Sequence, residues 1–165
     1  MFHCSEEYGP EDVRTSLGYY NLSKIFQGVG DIERSLSCNG QVVQIWMEAL
    51  VGSVLGATLG PGLKKVQVSS LGPEGELPLG RSQMMEVVDM LEDIRSLRSE
   101  ALGEKDPSVG DCALAAALAL AHVGGAEAVK RGEILAAKAV AVYPEEEQER
   151  KQLAKDALAR VAAAA

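Results

Sequence analysis

The sequence predicts an all-α protein of about six helices arranged in antiparallel pairs. Three observations carry this. Apolar residues recur at spacings of three and four along most of the chain, no segment of weight alternates as a strand would, and Gly or Pro interrupts the pattern at helix-length intervals. The alanines add to it: two lie before residue 100 and twenty after it. Ala is the best helix former and lets helix axes approach closely. Aromatic residues make up only 4% of the 165, so the core must be aliphatic.

A first helix is expected from about Pro10-Glu11-Asp12, since an early Pro and first-turn acids suit a helix N-terminus. Val13, Leu17, Tyr19, Tyr20, Leu22, Phe26 and Val29 give it a broad apolar face. Gly28-Val29-Gly30 ends it, and Asp31 is placed to cap a second helix running to about Ala57. Gly40 lies inside that second helix and weakens it by about 1 kcal/mol relative to Ala. Residues 58–80 are rich in Gly and Pro, lack a helical period and read as a long loop or insertion. A third helix covers about 81–102 and stops at Gly103. A fourth, roughly 108–123, is apolar nearly all round and should be buried. Gly124-Gly125 turns into a fifth at about 126–143. Pro144 separates it from a sixth at about 145–162, whose start (Glu145, Glu146, Glu147) suits the helix dipole. The expected organisation is an N-terminal tail at 1–9 and one helical domain at 10–163 interrupted by the 58–80 insertion.

Composition narrows the function classes. No apolar run is long enough to span a bilayer; Ala113–Ala121 comes closest and is too short. The first twelve residues lack the basic and apolar regions of a secretory signal. A net charge of −8 with no basic stripe argues against nucleic acid as a partner. Cys4, Cys38 and Cys112 are too scattered for a disulfide framework or a zinc site, which points to a reducing, cytoplasmic setting.

Helix pairs of about 34 residues match the tetratricopeptide (TPR) period. With Ser16 as the first position, Tyr19, Leu22, Phe26 and Gly30 fall where that repeat places aromatic, Leu, aromatic and Gly. Gly132, Ala139 and Pro144 keep the spacing of its second helix. The expected architecture is therefore a short TPR-like solenoid. Asn39, Met47, Ala116 and Val123 depart from the pattern. Solenoid faces are buried by neighbouring repeats, and about three with caps are needed. Two recognisable pairs leave an apolar end face, so the isolated chain is expected to be marginal or to self-associate.

The segment Tyr8-Gly9-Pro10-Glu11-Asp12-Val13-Arg14-Thr15-Ser16, followed by Gly18-Tyr19 and Leu22, resembles the repeat region of the MYND-type zinc-finger/TPR proteins of motile cilia. Ile45-Trp46 is similar to the Ile-Trp closing their next helix. The resemblance implies a non-catalytic scaffold of the ciliary or flagellar axoneme, associated with inner dynein arms and partnered by dynein-arm proteins and another TPR protein. That family places its zinc finger before the repeats. The cysteines here supply none, so neither zinc nor any other cofactor is implied, and Leu17 replaces a usual Gly.

Candidate partner-binding residues are Asp12 and Arg14 in the family-like segment, Asn21, and Trp46, which reads as core or as an interface anchor. Asn21 stands where TPR co-chaperones hold a peptide carboxylate. A cytosolic co-chaperone-like adaptor binding C-terminal peptides is thus the alternative reading, although the Lys and Arg set such a clamp needs is not evident. No enzyme is expected: His3 and His122 stand alone, Cys38 and Cys112 have no activating base, and Gly60–Lys65 lacks the spacing of a phosphate loop. No small-molecule substrate is implied.

Overall fold

The computed structural model describes residues 9, 10, 12–56, 77 and 79–164. These residues form six α-helices and one π turn, with no strand among them. The helices are α1 (Val13–Gly28), α2 (Ile32–Leu50), α3 (Arg81–Leu102), α4 (Pro107–Val123), α5 (Ala126–Val142) and α6 (Gln148–Ala162); the π turn Val51–Leu55 continues α2. The tail at 1–8 and most of the expected insertion lie outside the described residues.

Local chemistry sets the ends. Asp12 is the N-cap of α1 rather than part of it, accepting from the Arg14 backbone N–H at 2.9 Å. At the other end Gly30 adopts φ +80°, which its missing Cβ permits. Its N–H reaches the Gln27 carbonyl and the Asp31 N–H reaches that of Phe26, closing a Schellman turn. Asp31 then caps α2 through the Arg34 N–H. Regular α-helix ends at Leu50, short of the expected Ala57, because the chain widens into the π turn and leaves it at Gly56. The Arg160 side chain on α6 donates to the Val54 carbonyl of that turn. Helix α3 keeps its expected bounds. Asp106 caps α4 with Pro107 in its first turn, as an N-terminus favours. The last helix begins at Gln148, three residues later than expected, because Pro144–Glu147 forms a turn first.

Helix α4 is the centre of the fold. Every residue from Cys112 to Leu120 is buried, and α2, α3, α5, α6 and the π turn all pack on it. Helices α4, α5 and α6 make the tightest stack. A Cβ added at Gly132 on α5 would lie 2.9 Å from Val161 Cγ1 on α6 and 3.4 Å from the Ala117 carbonyl oxygen on α4. Ala139 and Ala136 on α5, with Ala154 and Ala157 on α6, are also fully buried. The late alanines are the reason these axes come so close. Helix α1 packs chiefly on α2. Around their shared turn Ile25, Val29 and Ile32 stay exposed.

Gly132→Val should lower stability by about 1–3 kcal/mol in urea titration, because it overpacks a closed helix crossing. Adding Val161→Ala should recover part of the loss. Equal stability of Gly132→Val and the natural chain would contradict the close packing.

Candidate functional site

A cavity of about 640 Å³ forms a trough between α1 and α3 that is open on one side. Its position follows from the packing: α1 leans on α2, α3 leans on α4, and the two helices meet each other little. Trp46 of α2 and Val87 of α3 form the floor; Leu17 and Tyr20 of α1 and Met90 of α3 form the walls. Leu17 is 59% exposed, a large apolar side chain offered to solvent along a trough rather than scattered on a surface.

Polar contacts fix the trough. Trp46 is 3% exposed, yet its indole N–H donates to Ser16 Oγ at 3.1 Å, tying α2 to α1 beneath the floor. Ser16 in turn donates to the Val13 carbonyl. Across the trough, Asp93 Oδ2 on α3 accepts from Tyr20 Oη at 2.8 Å and from Lys24 Nζ at 2.7 Å. This clasp joins α1 to α3. Partial burial raises the Asp93 carboxyl, but the hydrogen bonds from Lys24 and Tyr20 and the lysine charge outweigh it and hold the group below its usual value. Tyr20 is raised, by burial first and then by the Asp93 bond.

The expected site residues separate into different roles. Asp12 caps α1 and pairs with Arg14, whose Nε lies 2.7 Å from Oδ1 and whose Nη2 lies 2.8 Å from Oδ2. Arg14 and Trp46 both border the trough, so the structure brings these two together. Asn21 is exposed on α1 and does not border it. Among the residues expected to pack the repeat, Tyr19, Leu22 and Phe26 are half-buried, and Tyr19 contacts the core. The Arg34 guanidinium stacks over the Phe26 ring at 5.7 Å. Gly132 and Ala139 are buried, whereas Pro144 is exposed in the α5–α6 turn. The sequence reading did not single out the α3 rim, Glu86, Asp89 and Asp93. Their spacing of three and seven residues was the available signal, since it puts all three on one edge of the helix.

A second polar cluster lies where α4, α5 and α6 converge. Tyr143 is 2% exposed, and its hydroxyl donates to Asp111 Oδ1 at 2.8 Å; Arg150 Nε lies 3.7 Å from the same oxygen. Burial raises the Asp111 carboxyl, with Arg150 and the tyrosine hydroxyl opposing it. Arg98 on α3 donates to the Ser108 carbonyl at 3.0 Å beside this cluster. Arg98 and Arg150 are balanced there by Asp111 and Glu147, an arrangement that ties helix ends together. Burial pushes the Cys112 thiol up to about 11, which disfavours the thiolate. Among the described residues no three His, Cys, Asp or Glu side chains gather as metal ligands, and no helix is long and apolar enough to cross a membrane. The scan against protein-family models gives no match, and the search of curated proteins gives none either.

A double-mutant cycle of Lys24→Ala and Asp93→Ala should return a coupling of about 0.2–1 kcal/mol at neutral pH, the range for half-exposed pairs. The Asp93 pKa is lowered on folding, so its contribution is present above the unfolded carboxylate value and is lost as pH falls through the folded value. The coupling should therefore persist through the usual carboxylate range and fade only in stronger acid, as pH falls through the lowered folded value. A coupling unchanged in acid would show that the clasp is not ionic.

Proposed function

We propose that this chain is a non-catalytic helical adaptor that seats a partner helix in the trough between α1 and α3. The observation carrying this reading is the trough itself: an apolar floor with Leu17 exposed beside it, underlain by the Ser16–Trp46 bond and crossed at one point by the Asp93 clasp. An open channel between two helix walls accepts a third helix by the ridge-and-groove packing that joins helices within domains. The all-α stack of helix pairs supports it, since such stacks act through surfaces rather than through reactive groups.

The setting we propose is the axoneme of a motile cilium or flagellum, in an assembly with inner dynein arms and another TPR protein. The support is the segment Tyr8–Ser16 and its continuation to Leu22, which resembles the repeat region of the ciliary MYND-type zinc-finger/TPR proteins. Within that segment Asp12, Arg14 and Ser16 do structural work here, capping α1 and anchoring Trp46.

Tagged full-length chain should capture inner-dynein-arm proteins and a TPR partner from ciliated cells, as read by mass spectrometry. Leu17→Asp, on an exposed position, should remove that capture while circular dichroism and melting stay unchanged. Capture that survives Leu17→Asp would move the interface away from the trough. Absence of axonemal proteins would overturn the ciliary setting.

A further inference from the structure

We infer that the trough between α1 and α3 selects a basic amphipathic helix: one with a Leu-type face for the floor and Lys or Arg along one flank. This rests on the adaptor reading and adds the chemistry of the partner. The α3 rim carries Glu86, Asp89 and Asp93, which one helix edge spreads over about 10 Å. Asp93 is taken up by Lys24 and Tyr20. Glu86 and Asp89 are exposed and have no ion-pair partner among the described residues. The cation on the opposite wall, Arg14, is engaged by Asp12. Among the described residues the rim therefore presents uncompensated negative charge beside an apolar floor. Cations repeating every three or four residues on a partner helix would meet carboxylates at the same period.

Charge also argues against a second copy as occupant, because each chain carries a net −8. The open side argues against a small molecule, since such ligands bind where most of their surface is enclosed.

Trp46 is the only tryptophan in the chain and borders the trough, so its fluorescence reports occupancy. The probes are two 18-residue model helices sharing one leucine face, one flanked by lysines and the other by glutamates. A scrambled lysine peptide of the same composition controls for net charge. Titrated into the full chain, the lysine helix should shift Trp46 emission and bind at least about tenfold tighter than the glutamate helix, with affinity falling as salt rises. Glu86→Lys with Asp89→Lys, both at exposed positions, should invert the preference. Leu17→Asp should abolish binding of both helices.

Equal binding of the two helices, lost in Leu17→Asp, would overturn the basic preference and leave the docking trough standing. No binding of either helix would overturn both. Binding of the scrambled peptide as tight as that of the lysine helix would reduce the effect to net charge and overturn the proposal. Binding that appears only after deletion of residues 57–76 would make the occupant this chain's own segment. A dimer by sedimentation that Leu17→Asp dissociates would make it a second copy. Either result overturns the proposal.

Discussion

The burial of α4 constrains everything else in the chain. A helix apolar on all sides has no face to give to water, so it must be covered on all sides. Four helices and the π turn provide that cover. Each of them satisfies its own apolar stripe in doing so: α3 with Met84, Val88 and Leu91, α2 with Val42, Val43 and Leu50, α5 and α6 with alanines. The alanine-rich back half works as a closely spaced stack because its residues are small. Gly132 marks the tightest point, where even a methyl group meets Val161.

Helix α1 takes little part in covering α4. It is held on one side by α2, through close packing and the buried Trp46–Ser16 bond, and at one point by α3, through Asp93. The trough is the space between a helix committed to the centre and one that is not. Its floor is made by core residues, its rim by side chains that the core does not need, and its acidity by the stripe on α3 that faces away from α4. Core packing and the surface we propose for interaction are thus divided between two regions of one chain. The Tyr143–Asp111–Arg150 cluster belongs to the first, since it ties the ends of α4, α5 and α6.

Much of this was legible in the sequence. The bounds of α3, the all-round burial of α4, the Gly30 turn and the Asp31 cap follow from period and end chemistry, which are local properties. The π turn was not, because Val51–Leu55 has an ordinary helical pattern and the widening depends on what it packs against. Nor was the trough. It is defined by the spacing of α1 and α3, and its clasp joins residues 69 and 73 positions apart. Trp46 illustrates the limit. Sequence offers core or interface as alternatives, whereas the structure makes it a buried residue that also borders the trough.

Hydrogen exchange of the full chain tests this division most directly. Amides of α4 should exchange only through global unfolding. Those of α1 should exchange through a smaller opening of lower free energy, because α1 can leave its seat without uncovering α4. Equal protection of α1 and α4 would contradict the account, since it would make α1 an integral part of the core and the trough a fixed crevice within it.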